Sequence, residues 1–221
     1  MAIQRYETSH RRLGDEELAA WREIPPPIAT DCMNRTQSMA AAIKPVRPGL
    51  RLVGQARTVT CMVADSGVVH VATAHLKRND VLVIDNAGFE DVACWGGNAT
   101  RCAMSLGAAG LVIDGSIRDI AEIRALGWPV FCRNAVPRGP HKGFGGVIDG
   151  IASVGGVAVR PGDVVLGDDD GVVVVPLAQA DGVLAAARAL LAKESGWLEA
   201  MAAGKTMAEI LGLKEDEILL P

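Results

Sequence analysis

Two short segments carry residue types that could do chemistry together. One is Asp85-Asn86-Ala87-Gly88, running on to Trp95-Gly96-Gly97-Asn98; the other is Asp114-Gly115-Ser116-Ile117-Arg118-Asp119. Both follow an aliphatic run and lead into a helical pattern. Glycines at a helix start let a ligand approach free backbone N–H groups, where the helix dipole favours an anion. A small carboxylate over Gly97-Asn98-Ala99 fits that setting, although Gly-Gly before a helix also serves as a plain turn. Arg118 and Asp119 point to different azimuths at the next helix start. One could grip a carboxylate while the other binds a hard cation; the alternative is a capping aspartate beside a solvated arginine.

Other candidates carry less. Asp168-Asp169-Asp170-Gly171 lacks the remaining ligands of a calcium loop and reads as a tight hairpin turn. His70 and His75 stand five apart, so they do not form an i,i+4 metal pair and read as core or surface histidines. The loop Pro137–Gly143, with His141, could close over a site or simply connect. There is no nucleophile elbow, P-loop or dinucleotide fingerprint. The five cysteines, Cys32, Cys61, Cys94, Cys102 and Cys132, include no CxxC pair. They are read as buried thiols of a reducing cytoplasm, with Cys94 and Cys102 in one apolar helical pattern.

The elements that must position these residues follow from pattern. Val81–Asp85, Gly110–Asp114 and Trp128–Cys132 are short buried strands. They alternate with helices over Trp95–Leu106 and Ile117–Leu126, which argues for a parallel sheet with crossover helices. Leu52–Val63 is a further strand, and Val68–Lys77 a helix. The first fifty residues look helical, with a break at Pro25-Pro26-Pro27. Val147–Val175, rich in Gly and Val, should form antiparallel hairpins. Leu177–Ala202 is a long helix and Met207–Leu211 a short one. The expectation is one α/β domain over 28–190, with helical extensions at 1–27 and 191–221.

Composition agrees. The chain has 221 residues, 49% hydrophobic and 22% charged, with a mean hydropathy of +0.23, which excludes disorder. A net charge of −4 argues against a nucleic-acid surface. No apolar run approaches a membrane span, and Met1–Asp15 has no signal-peptide core.

The strings Gly110-Leu-Val-Ile-Asp-Gly-Ser-Ile-Arg-Asp119, Pro129-Val-Phe131, Pro161-Gly-Asp-Val-Val165 and Asp168-Asp-Asp-Gly-Val172 together resemble the RraA-like superfamily. Its spacing signature is Gly, twenty residues, Arg-Asp, two residues, Glu; Gly97, Arg118, Asp119 and Glu122 satisfy it. The superfamily includes 4-hydroxy-4-methyl-2-oxoglutarate aldolases, which also decarboxylate oxaloacetate, and non-catalytic regulators of ribonuclease E. The resemblance implies a swivelling β/β/α fold and a homotrimer or hexamer with sites between subunits. It implies that Asp119 binds Mg²⁺ or Mn²⁺, partly through water. Arg118 would hold the pyruvate moiety, and the amides of Asn98 and Ala99, in the loop Gly96–Ala99, its carboxylate. One position departs: the aldolases carry an acid where this chain has Gly97, which leaves that role to Glu90, Asp91 or Glu122. The regulators commonly lack the aspartate found at Asp119. The implied activity is metal-dependent cleavage of a small 2-oxo acid to release pyruvate. A Schiff-base route is disfavoured because neither marked loop holds a lysine. A non-catalytic regulator of an RNA-processing enzyme, or a same-fold enzyme for another hydroxy or oxo acid, are the alternatives.

Overall fold

Strand residues of alternating destination set the architecture. The computed structural model describes residues 2–215. In chain order its strands are β1 (Ile3–Arg5), β2 (Lys44–Pro45), β3 (Leu52–Cys61), β4 (Asp80–Trp95), β5 (Gly110–Ile117), β6 (Val130–Cys132), β7 (Asn134–Ala135), β8 (Gly146–Ile148), β9 (Ala152–Val154), β10 (Val157–Val159), β11 (Val164–Asp168) and β12 (Gly171–Val175). The helices are α1 (Asp15–Arg22), α2 (Pro26–Asp31), α3 (Gly67–Thr73), α4 (Gly97–Ser105), α5 (Ile120–Leu126), α6 (Ala180–Ala202) and α7 (Met207–Leu211).

The central sheet runs β1-β8-β3-β4-β5-β6-β2. Its β3–β4, β4–β5 and β5–β6 pairs are parallel, as the strand–helix alternation requires. On β4, Leu82 and Ile84 face one side and Val81 and Val83 the other; on β5, Leu111 and Ile113 oppose Val112. The first set packs with Val68, Ala72, Ala103 and Ile123 of the crossover helices. The second packs with Val154 and Val159 of the antiparallel β9–β10 pair and with Phe131. Full burial of each such side chain contributes about 1.5–3 kcal/mol. The molecule is thus a mixed α/β domain with helices at both ends of the chain.

The Gly-Val region does fold as hairpins, β9–β10 and β11–β12, and Asp168 pairs with Gly171 across the tight turn. The β11–β12 hairpin exposes a second face, Val164, Leu166, Val173 and Val175. Leu18 and Trp21 of α1, Ile24 of the link between the helices and Ile28 of α2 cover it, together with Ala180 and Val183 of α6. The amino-terminal helices therefore share a core with the other end of the chain.

Several expectations need correction. The first fifty residues are not all helical: Ile3–Arg5 pairs with β8 and Lys44–Pro45 with β6. The strand expected to stop at Asp85 continues to Trp95 through three register shifts against β5. These irregularities absorb Asn86-Ala87-Gly88, which read as an ending. Helix α4 consequently starts at Gly97 and α5 at Ile120, leaving Arg118 and Asp119 just outside. Helix α3 ends at Thr73, and α6 begins at Ala180 after a short 3₁₀ turn. Cys94 lies on β4 rather than on a helix; Cys102 is exposed and Cys32 only partly buried. Residues 216–221 of the carboxy-terminal extension lie outside the described residues.

Beneath the sheet end nearest α1 sits a buried ionic network. Arg57 Nε donates to Asp80 at 3.1 Å and its Nη1 to Asp149 at 2.6 Å. Asp80 also accepts from Arg12 and from the Lys77 amide. Removing the central cation strands two buried carboxylates. Arg57→Met is expected to cost about 3–5 kcal/mol, read as a shift of the urea midpoint at unchanged slope. A loss below 1 kcal/mol, on the order of a surface ion pair, would contradict this role.

Candidate functional site

Arg118 and Asp119 line one cleft of about 150 Å³, shared with Trp95, Gly96, Asn98 and Ala99. The two marked strand ends therefore meet, because β4 and β5 are neighbours and Trp95 pairs with Ile117. The Arg118 amide donates to Trp95 O at 3.0 Å, which locks the two exits together. Trp95 stacks on Trp128 with centroids 6.4 Å apart, and its indole N–H donates to Thr100 Oγ1 at 2.7 Å. The loop before α4 is thereby fixed by the aromatic pair beneath it.

Asp119 adopts a left-handed backbone, φ +59° and ψ +36°. For a non-glycine residue this conformation is sparsely populated, though aspartate tolerates it better than most. Its side chain does not cap its own helix. Its Oδ2 instead accepts from Gly97 N at 3.0 Å, with Arg118 Nε 3.7 Å away. The reading of Asp119 as a local cap therefore fails. The first intrahelical bond of α4 runs from Thr100 N to Gly96 O. The amides of Gly97, Asn98 and Ala99 precede it, and with Gly97 taken by Asp119, those of Asn98 and Ala99 remain at the cleft.

Both glycines have steric reasons. A Cβ on Gly96 would lie 2.7 Å from Asp119 Oδ2, and one on Gly97 would lie 2.6 Å from the Glu122 carboxylate. Glu122 thus occupies the space where a side chain at position 97 would begin. Arg101 Nε holds it at 2.8 Å. Of the three acids left by the resemblance, Glu122 is the one against Gly97. Glu90 accepts instead from Asn134, and none of the three acids is in the cleft lining itself.

Sequence reasoning anticipated the opposite wall only through the Pro137–Gly143 loop. Ser66, His70, Pro140 and Lys142 line it, so the Pro137–Gly143 loop does border the site. The two marked loops hold no lysine, but Lys142 reaches the cleft from the Pro137–Gly143 loop, and His70, an exposed histidine, forms part of the wall. Ser66 is fully buried, yet its hydroxyl has no partner among the described residues. His70 is held below the ordinary imidazole value, first by desolvation and then by Lys142 and Arg118. No spacing rule links 66–70 to 118–119; the only local hint is Asp65-Ser66-Gly67 before a helix.

For a metal, the donor set is spare. Among the described residues no three His, Cys, Asp or Glu side chains cluster as ligands. Asp119 Oδ1 has no hydrogen-bond partner there. One open carboxylate suits a hard ion that keeps most of its waters, as Mg²⁺ does, and does not suit a closed zinc site. A cavity of about 820 Å³ lies between Tyr6–His10 and Asp149–Ile151 and contains neither Arg118 nor Asp119, whereas a second cleft of about 400 Å³, bordered by Ile120 and Val136, also reaches both residues.

Asp65 ties the far wall down. Its carboxylate accepts from Gly67 N at 2.8 Å, Gly143 N at 2.8 Å and Phe144 N at 3.1 Å. Burial opposes its ionisation, but the donors at Phe144, Gly67 and Gly143 together hold its pKa below the usual carboxylate range. The folded value is thus below the unfolded one. Its stabilisation is complete above about pH 4 and drains as pH falls through the folded value. Asp65→Asn should cost about 2 kcal/mol near neutrality. It should also flatten the acid limb of a stability–pH curve; an unchanged acid limb would refute the anchoring role.

Comparison with known proteins places this cleft in context. The RraA-like (Aldolase/RraA) family model matches residues 26–174. A relative from Halalkalibacterium halodurans, named "Putative 4-hydroxy-4-methyl-2-oxoglutarate aldolase", is 37% identical over 77% of this chain and 81% of its own. Among solved structures, an uncharacterised Pseudomonas syringae protein superposes with a TM-score of 0.78 at 25% identity, covering 91% of this chain and 99% of that one. Streptomyces coelicolor RraAS2, described as an unusual member of the RNase ES inhibitor RraA family, superposes with a TM-score of 0.75 at 26% identity over 86% of this chain and 100% of its own. A sheet of this order, the Gly97–Arg118–Asp119–Glu122 constellation and the matched span leave one assignment: the chain belongs to the RraA-like (Aldolase/RraA) family.

Proposed function

We propose that this cleft is the active site of a divalent-metal-dependent lyase. It would cleave a C–C bond beside a 2-oxo acid to release pyruvate. The reaction is aldol cleavage of 4-hydroxy-4-methyl-2-oxoglutarate-type substrates, decarboxylation of oxaloacetate, or both. The observation that carries the reading is the convergence of one guanidinium, one open carboxylate and two free helix-start amides on a cleft sized for a small acid.

In this reading the amides of Asn98 and Ala99 hold the substrate's carboxylate at the start of α4. Arg118 sets a fixed positive charge where the enolate oxygen develops. Asp119, held in place by Gly97, would carry Mg²⁺ or Mn²⁺, which when bound supplies Lewis-acid polarisation of the keto group. Glu122 lies close enough to Gly97 to order water there and, through it, accept the substrate hydroxyl proton. Ser66, His70 and Lys142 offer donors to the far end of a dicarboxylic substrate. Lys142 is exposed and lacks the desolvated setting of a Schiff-base amine.

Arg118 and Asp119 side chains are 46% and 43% exposed, too open to exclude water alone. Assembly as a homotrimer or hexamer, with a neighbour closing the cleft, belongs to the proposal. Five free thiols suit the reducing cytoplasm, and no described helix is long and apolar enough to cross a membrane. A second reading, a non-catalytic regulator, draws support from the description of the Streptomyces relative. Pull-down with ribonuclease E, run beside the turnover assay, separates the two.

The main assay follows pyruvate release from both substrates with Mg²⁺ and with EDTA. EDTA should abolish turnover, and Arg118→Ala or Asp119→Ala should each lose about 10²–10³-fold in kcat with the fold intact. Full activity in either variant, or chelator-resistant turnover, would overturn the mechanism. Decarboxylation needs the enolate but no base for a hydroxyl. Glu122→Gln should therefore lose about 10²-fold or more in aldol cleavage while oxaloacetate decarboxylation stays near its starting rate. Equal losses on both substrates would remove Glu122 from the proton step.

A further inference from the structure

The cleft wall contains a feature that pyruvate chemistry does not use. Cys94 lines the cleft beside Trp95 and Gly96, and Cys61 sits behind it on β3. Both thiols lie within hydrogen-bond reach of one atom, Asn86 Oδ1, at 3.5 Å from Cys61 and 3.6 Å from Cys94, and Cys61 Sγ is also 3.2 Å from Asp85 O. Asn86 is fully buried and tied to Phe89 O through its own amide at 3.3 Å. The irregular part of β4 thus folds around a single side chain and brings two sulfurs to it. None of the five cysteines is in a disulfide.

We propose that Cys61 and Cys94 are a peroxide-oxidisable dithiol, a modification site in the wall of the candidate active site. Cys94, the member on the cleft, attacks one oxygen of a hydroperoxide. An S–O bond forms, the O–O bond breaks, and the other oxygen leaves as water or alcohol with a proton. The Cys61 sulfur then attacks the sulfenic sulfur. The S–S bond forms, the S–O bond breaks, and water leaves with the Cys61 proton. Two thiols lose two electrons and two protons, and the peroxide takes up both.

The order of attack has independent support. The interaction between the two thiols pushes Cys61 up and holds Cys94 below the ordinary thiol value against the effect of burial. The thiolate is the nucleophile in such chemistry. Cys132, by contrast, is pushed up to about 12 by burial and has no thiol neighbour among its hydrogen-bond partners.

Closing the bond would move the site. Cys94 is two residues before Gly96, and the Gly96–Gly97 backbone packs against the Asp119 carboxylate. A shift of Cys94 toward β3 pulls that cradle out of register, and displacements of about 1 Å cost on the order of a hundredfold in rate.

The test uses the full chain treated with hydrogen peroxide, then mapped by non-reducing peptide mass spectrometry. The expected result is a Cys61–Cys94 linked pair with loss of two hydrogens, reversed by dithiothreitol. In Cys61→Ala, oxidation should stop at a Cys94 sulfenic acid trapped by dimedone. In Cys94→Ala, Cys61 should stay reduced. Cys102→Ala removes the exposed thiol and should leave the linkage unchanged. Oxidation confined to Cys32 or Cys102, with Cys61 and Cys94 still reduced, would overturn the proposal. The mapping needs no turnover, so it stands or falls apart from the proposed lyase activity. The arm that rests on that activity is a reversible loss of pyruvate release of about a hundredfold.

Discussion

A single hydrogen bond between two strand exits organises this site: Asp119 Oδ2 to the amide of Gly97. It exists because Asp119 takes a left-handed backbone that turns its carboxylate away from its own helix and back across the sheet edge. Strain of this kind costs on the order of 1 kcal/mol and persists only where the surroundings over-determine it. Here they do, since the Arg118 amide is already fixed to Trp95 O. The bond also consumes one helix-start donor and leaves the next two at the cleft. The same contact explains the glycine at position 96, whose absent side chain is what lets the carboxylate approach.

The parallel core of the sheet supplies the rest. Ligands in open α/β sheets gather beyond the carboxyl ends of strands, and β4 and β5 deliver both motifs to one edge in register. Crossover helices on one face and the β9–β10 pair on the other bury both sides of β4 and β5. The strand ends are therefore rigid, and a site on them needs little ordering before a ligand arrives.

What could be read from the amino-acid order follows this physics. Short aliphatic runs separated by helical periods gave the parallel β4–β5–β6 order, and the Gly-Val turns gave the hairpins. Arg118, Asp119 and the Gly97 amide region could be located because each sits at a strand end, a place with local signals. The run of β4 beyond Asp85 could not, because its pairing depends on bulges against β5, and Asn86-Ala87-Gly88 carries every local mark of a stop. Ser66 and His70 were out of reach for a different reason. They belong to α3 and its N-cap, which Asp65 joins to the end of the Pro137–Gly143 loop through three backbone donors, a tertiary contact without a spacing rule. The orientation of Asp119 was equally hidden, since a helix-start aspartate ordinarily caps its own helix.

Position 97 joins these lines. A side chain there would collide with Glu122, and Glu122 stays put because Arg101 holds it. An acid does stand beside position 97, carried by α5 rather than by α4. The two arrangements are not equivalent in reach: Glu122 is tied to a cation and approaches from the Asp119 side. Its carboxylate sits against Gly97, with Arg101 Nε at 2.8 Å. A side chain at position 97 and the carboxylate of Glu122 therefore exclude one another in this packing, and the glycine is the form of position 97 that α5 allows.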